Sequence, residues 1–244
     1  MMENEEIERL RRIVADLAAL PRPEARRVYG REGAPRSVAV LPGAFDPPTL
    51  AHLALARAAG DRGFDTVLLS ISTRTIDKEA AGGLDAAERL YLLGAITAAD
   101  DRRGVLVQNR GLYAEQAGAV RAALPSAADV AFVVGMDKVS QIFDTRYYEN
   151  AAAALAALFT QARLLVAARG DLDRGALRTL LERGPARGYA ERVSWLELDP
   201  RWRTVSATRV RERLARGELP REWLPLQVAN YLGAHAARFT APGR

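Results

Sequence analysis

Short apolar runs alternating with helix-like segments constrain this chain more than any other feature. Ser37–Leu41 (SVAVL), Thr66–Ile71 (TVLLSI), Val105–Val107, Val130–Val134 (VAFVV) and Arg163–Ala168 (RLLVAA) are almost without polar interruption. A strand with one wet face alternates apolar and polar residues, whereas a continuous run belongs to a strand covered on both faces. Between these runs the pattern predicts helices over about 50–59, 84–98, 113–123, 148–158 and 173–182. A weaker strand follows at 192–198, then helices at 206–216 and 226–237. Asp85 with Glu88 three residues on has capping-box spacing for the second of these helices. Strands alternating with helices give a parallel sheet, and right-handed crossovers make it a doubly wound α/β fold. Ligands of such sheets lie beyond the carboxyl ends of the strands. The loops after residues 41, 71, 107, 134 and 168 are therefore where chemistry is expected.

The first 36 residues lie outside this alternation. Ile7, Leu10, Val14 and Leu17 recur at helical steps over 5–20, and Pro21 and Pro23 stop that helix. Residues 21–35, rich in Pro, Gly and Arg, read as a linker. The expected organisation is an N-terminal helical arm and linker over 1–36, then one domain over 37–244 that includes the C-terminal helices. The absence of cysteine excludes disulfides, thiolate catalysis and zinc-thiolate or iron–sulfur sites. No run approaches the roughly 18 apolar residues of a spanning helix, and the acidic N-terminus lacks the order of a secretion signal. A cytoplasmic protein with no membrane partner is the expectation.

The net charge of +5 is uneven: residues 201–244 carry nine Arg against three Glu. Such an end can be a solvated face, or it can meet nucleic acid or the phosphates of a small ligand. Sparse aromatic residues there, Trp202 and Trp223, disfavour nucleic acid. Walker-type, GxGxxG, GxSxG and HExxH motifs are all absent.

The first site-like segment, Gly43-Ala44-Phe45-Asp46-Pro47-Pro48-Thr49-Leu50-Ala51-His52, leaves a strand and enters a helix. Gly43 allows close backbone approach, and the helix start presents N–H groups and a positive dipole end. Thr49 and His52, three apart, share a helix face. A hydroxyl and an imidazole there can hold a transferring phosphoryl group, though His52 could equally be an ordinary surface residue.

This segment resembles the GxFDPxTxGH stretch of the nucleotidyltransferase superfamily with the (H/T)xGH motif. That superfamily includes the nicotinate and nicotinamide mononucleotide adenylyltransferases and phosphopantetheine adenylyltransferase. Ala51 stands where Gly is usual. Val205-Ser206-Ala207-Thr208-Arg209-Val210-Arg211 resembles the family's ISSTxxR motif, with Ala207 in place of a Ser. Ser206 and Thr208 are also good helix caps, and Arg211 offers a forked cation suited to phosphate. Residues 224–232 resemble the family's VPxxVxxYI ending. Val134-Gly135-Met136-Asp137 resembles the GxD of the mononucleotide adenylyltransferases, and Arg169-Gly170 their R-x-G turn. The match spans about residues 37–235.

The resemblance implies a Rossmann-like nucleotidyltransferase that moves AMP from ATP onto nicotinate or nicotinamide mononucleotide in NAD biosynthesis, releasing pyrophosphate. His52, Thr49, Arg211 and Lys78 would be catalytic. Gly43, Ala44, Phe45, His52, Gly135, Asp137, Arg169, Ser206, Thr208 and Arg211 would bind ATP. Lys78, one of only two lysines, and Tyr113, Tyr147 and Tyr148 would bind the acceptor. Mg²⁺ would ride on the ATP phosphates without protein ligands, and a homo-oligomer is compatible. Arg89 could serve the site or a structural ion pair, and His235 is read as structural. On the acceptor side the likeness thins: of the family's SYTxDT stretch only Tyr113 remains, and Phe143, Tyr147 and Tyr148 stand where a Trp follows GxD. Two other readings stay open: transfer to another phosphorylated acceptor such as phosphopantetheine, or a nucleotide-binding regulator that has lost turnover.

Overall fold

The computed structural model describes residues 2–74, 83–168 and 170–239. Seven strands form one sheet: β1 (Ala25–Tyr29), β2 (Ser37–Pro42), β3 (Thr66–Ser72), β4 (Arg103–Gln108), β5 (Asp129–Gly135), β6 (Arg163–Ala167) and β7 (Val193–Leu196). Their order is β1-β4-β3-β2-β5-β6-β7, with every neighbouring pair parallel except β1 and β4. The chain runs outward from β2 through β3 to β4, then returns to lay β5 on the other side of β2. That reversal opens a crevice above the carboxyl ends of β2 and β5, where sheets of this kind place their ligands.

Nine α-helices cover the sheet among the described residues: α1 (Met2–Ala19), α2 (Leu50–Gly60), α3 (Ala86–Thr97), α4 (Tyr113–Ala123), α5 (Met136–Ile142), α6 (Ala151–Gln161), α7 (Arg174–Leu181), α8 (Ala207–Ala215) and α9 (Leu226–Ala234). Side chains alternate across a strand, so β2 sends Ala39 and Leu41 to one face and Val38 and Val40 to the other. The first face packs under α1, α2, α3, α8 and α9; the second under α4, α5, α6 and α7. Both faces being covered is the reason the strands read as unbroken apolar runs. No helix among the described residues is long and apolar enough to cross a membrane.

Four expectations need correction. The segment read as a linker contains β1, an edge strand antiparallel to β4. Its sequence, ARRVY, buries only Ala25 fully, so it carries neither a continuous run nor clean alternation. The arm is built into the sheet's layers: Tyr29 of β1 lies under α3, where a side chain at Gly94 would come within 2.6 Å of the Tyr29 ring. Next, α5 directly follows β5, where the sequence suggested a loop. The helix expected from Tyr148 begins at Ala151, because Asn150 caps it by accepting from the Ala153 N–H. The last helix ends at Ala234, short of residue 237. The capping box at Asp85 and Glu88 forms as the spacing predicts.

Candidate functional site

The loop between β2 and α2 sits at the crevice and is shaped by buried contacts. Phe45 is fully buried and held at a φ of 48°, a left-handed conformation uncommon for a side-chain-bearing residue. Its ring lies 4.8 Å, centroid to centroid, from that of His52. A Cβ at Gly43 would stand 3.0 Å from the Phe45 ring. Gly43 therefore makes room for Phe45, a reason that the sequence did not suggest.

Thr49 caps α2 in extended conformation, and His52 is the third residue of that helix. The imidazole does what a glutamate does in an ordinary capping box: its Nδ1 accepts the Thr49 backbone N–H at 3.0 Å. The Thr49 hydroxyl is also 3.0 Å from Nδ1, and Thr49 is 0% exposed. A nitrogen that accepts from a backbone N–H cannot itself carry a proton. The neutral ring therefore holds its proton on Nε2.

Asp46 is buried beside this helix start. Its carboxylate accepts the Leu84 N–H at 2.8 Å, and any side chain at Gly83 would collide with it. Arg211 reaches the same loop from 165 residues away: its Nη1 donates to the Asp46 carbonyl at 2.5 Å and stands 3.7 Å from the Asp46 carboxylate. Arg211 projects from α8, whose N-cap Ser206 accepts the Arg209 N–H at 3.2 Å; Thr208 Oγ1 is 3.5 Å from Arg211 Nη2. The starts of α2 and α8 are thus joined through one guanidinium. Arg89 of α3 adds a second cation by donating to the Ala44 carbonyl at 2.8 Å. Burial pulls the Arg89 pKa down; the Asp46 carboxylate opposes that and the nearby Arg211 charge adds to it. The sequence left Arg89 between the site and an ion pair; in the structure it belongs to this cluster, and Asp46 is a member that sequence reasoning gave no role.

Across the crevice, Gly135 ends β5 and Asp137 is exposed in the first turn of α5. Tyr113, first residue of α4, meets the Phe132 ring edge-on at 5.5 Å. Burial raises its phenol pKa well above the usual range, with Asp137 and Tyr148 adding to the shift. The charges of Asp137 and Tyr148 are thus felt at Tyr113. Tyr148 spends its hydroxyl on the Ile142 carbonyl at 2.8 Å, and Tyr147 is exposed on the turn over 145–147. Lys78 and Arg169 lie outside the described residues. Among the described residues no three His, Asp or Glu gather as a metal site.

The basic C-terminal end is largely engaged within the molecule. Arg238 pairs with buried Glu88, which also accepts from the Tyr231 hydroxyl at 2.7 Å. Arg213 bridges Glu218 and Glu222, and both Arg209 and Arg213 lie over the Trp223 ring.

A helix start armed with a histidine and cross-linked to a second helix start by an arginine, above a topological switch point, is the kind of arrangement that suits phosphate groups in α/β proteins. Comparison with known proteins gives the class a family. Residues 40–213 match the cytidylyltransferase-like family profile, and the chain belongs to that family. A Bordetella petrii protein named "Probable nicotinate-nucleotide adenylyltransferase" is 30% identical over 211 residues, covering 82% of this chain and 97% of that protein. A phosphopantetheine adenylyltransferase of Chloroflexus aurantiacus is 44% identical over 61 residues, 25% of this chain and 35% of that one. The solved structure of the Plasmodium falciparum nicotinic acid mononucleotide adenylyltransferase complexed with APC shares the fold, with a TM-score of 0.57 at 13% identity over 84% of this chain and 98% of that one.

Proposed function

We propose that this protein is an adenylyltransferase of NAD biosynthesis that joins AMP from ATP to nicotinate mononucleotide, with nicotinamide mononucleotide as the nearest other acceptor. The acceptor's 5′-phosphate oxygen attacks the α-phosphorus of ATP in line. A new P–O bond forms as the bond from the α-phosphorus to the bridging oxygen breaks, and pyrophosphate carries away the electron pair. No covalent intermediate on the protein is needed, so catalysis is positioning and charge stabilisation.

The observation that carries this reading is the meeting of two distant segments on one loop: His52 held by Thr49, and Arg211 bonded to Asp46. As an Nε2–H donor, His52 stabilises charge growing on the α- and β-phosphate oxygens. Thr49, buried behind the ring, acts by orienting it. Arg211 and Arg89 supply positive charge from the far side of the loop, while Ser206 and Thr208 shape the start of α8. Gly43, Ala44, Phe45, Gly135, Asp137 and Arg169 frame the nucleotide, with Asp137 accepting from the ribose hydroxyls. Tyr113 and Tyr148 line the acceptor side, and Lys78 meets the acceptor phosphate. Mg²⁺ arrives bound to the ATP phosphates, which with water can complete its octahedral shell without a protein cage. Extensive agreement with a nicotinate-nucleotide relative, against a short match to a phosphopantetheine enzyme, favours the pyridine acceptor. The protein acts in the cytoplasm, and the internal pairing of its basic end supports a small phosphorylated ligand rather than nucleic acid.

The test is incubation with Mg·ATP and, separately, nicotinate mononucleotide, nicotinamide mononucleotide and phosphopantetheine, with products followed by chromatography and mass detection. A pyridine dinucleotide together with pyrophosphate is the expected result. Product with phosphopantetheine alone, or with none of the three, overturns the reading.

A further inference from the structure

The turn that ends α1 is tied through the protein interior to the start of α4. Asn109, immediately after β4, is 0% exposed. Its Oδ1 accepts the Glu24 N–H at 2.8 Å, and its Nδ2 meets the carbonyls of Leu17 at 3.0 Å, Leu20 at 3.3 Å and Arg22 at 2.9 Å. Carbonyls require a donor and an N–H requires an acceptor, so these partners fix the orientation of the amide. The Asn109 backbone N–H adds a bond to the Glu24 carbonyl at 3.2 Å.

Arg110 continues the path. Its guanidinium donates to the Pro21 carbonyl and, at 3.0 Å, to the Asn109 carbonyl, and its Nε lies 3.3 Å from Glu115 in the first turn of α4. From the other side, Gln116 of α4 donates to the carbonyls of Arg110 and Gly111, each at 3.0 Å, and accepts from Gln108 at 3.0 Å. Gln108 in turn reaches the Ser70 hydroxyl at 2.9 Å. The loop over 109–112 is thus clamped between the arm and α4, and Tyr113 is the next residue.

The clamp matters because α4, like α5 and α9, begins without the side-chain cap that holds several other helix starts. Asp85, Asn150, Asp173 and Ser206 cap α3, α6, α7 and α8 with side-chain hydrogen bonds, whereas α4 is preceded by Leu112, which has no side chain able to do so. The start of α4, and Tyr113 with it, takes its position from longer-range bonds.

We infer that the 17–24 turn of the N-terminal arm, acting through Asn109 and Arg110, positions Tyr113 for the acceptor mononucleotide. The inference rests on the proposed reading that Tyr113 lines the acceptor side. Asn109 and Arg110 are positioning residues, their side chains buried against the arm rather than in contact with substrate. Their loss should therefore register on the acceptor and not on ATP, which is held by the separate cluster around His52 and Arg211.

The test is steady-state kinetics with Mg·ATP and nicotinate mononucleotide on the full chain and on Asn109→Asp, Arg110→Ala and Tyr113→Ala, with thermal melting alongside. Asn109→Asp keeps an acceptor for Glu24 but turns the donor toward three carbonyls into a second acceptor. Arg110→Ala is the milder change and decides the matter if the first does not fold. A displacement of the loop on the order of 1 Å is expected to raise acceptor KM by about 10-fold or more while ATP KM stays within about twofold. Tyr113→Ala should do the same. If Tyr113→Ala raises acceptor KM and neither clamp variant does, or if the clamp variants shift both KM values together, the positioning role is wrong and the acceptor reading stands. If Tyr113→Ala leaves acceptor KM unchanged, the acceptor reading fails and this inference fails with it.

Discussion

The two rims of the crevice are built differently. On the His52 rim, residues close in sequence make most of the geometry: Thr49 and His52 lock one another within a single turn, and Ser206 caps the helix that carries Arg211. Arg211 and Arg89 cross from other elements to donate to backbone carbonyls of one loop, and the Leu84 N–H crosses to Asp46. On the Tyr113 rim no side-chain cap fixes the helix start, and short bonds from Gln116 to the loop are joined by bonds that reach across the fold. Gln108, Gln116 and Ser70 come from β4, α4 and β3, and the arm supplies the rest through Asn109. A local device can be written as a motif, because its spacing is the geometry. A long-range network cannot, because its members need only be polar and meet in the folded chain.

That contrast can be broken or sharpened by mutation. The largest effect is expected at His52: His52→Ala should lower kcat by roughly 10²–10³, the loss seen when one preorganised donor is removed, while the circular dichroism spectrum stays that of the parent. An unchanged kcat would remove the imidazole from the chemistry. Arg211→Lys comes next. A lysine keeps the charge but cannot hold the Asp46 carbonyl and face a phosphate with one planar fork, so kcat/KM for ATP should fall by about 10-fold, on the order of 1.4 kcal/mol. A fully active lysine variant would show that charge alone suffices there.

A third effect concerns stability. Burial pushes the Glu88 carboxyl up, but Arg238, Tyr231 and the Asp85 N–H outweigh it and hold the pKa down to about 2. A depressed carboxyl contributes stability above its unfolded value of roughly 4.3, and that contribution fades as pH falls toward the folded value. Melting temperature should therefore drop between about pH 5 and pH 2 in the parent, and the Glu88→Gln variant should lose this part of the drop. The variant should also melt a few degrees lower at neutral pH, roughly 2–4 °C for each kcal/mol lost in a chain of this size. An identical acid profile in both proteins would show that Glu88 does not hold α3 to the C-terminal end. The smallest effect is expected at Tyr147, where Tyr147→Ala should change acceptor KM by less than about twofold, since substitutions of exposed side chains usually cost little.

Much of the architecture was legible from the chain. Apolar runs marked β2, β3, β5 and β6 because strands buried on both faces cannot alternate. Asp85 and Ser206 marked helix starts because a cap is a local hydrogen bond. The edge strand β1 was not legible: ARRVY pairs on one side only and buries a single residue fully, so its identity comes from β4 rather than from its own pattern. The α5 helix was hidden for a related reason, being only seven residues long and carried by the packing of Met136, Val139 and Ile142.

In the candidate site, Thr49 and His52 could be named from the chain's own chemistry, and Arg211, Tyr113 and Asp137 could be singled out by resemblance. The sequence by itself determined the strand–helix alternation, the helix starts and the residue types that suit phosphate. Only the tertiary structure decided that His52 accepts on Nδ1, that Gly43 is small to admit Phe45, that Arg89 and Asp46 join the cluster, and that the arm reaches the loop before Tyr113. The division is physical: hydrogen bonds within one helical turn are fixed by spacing along the chain, whereas those between distant residues exist only once the core has brought them together.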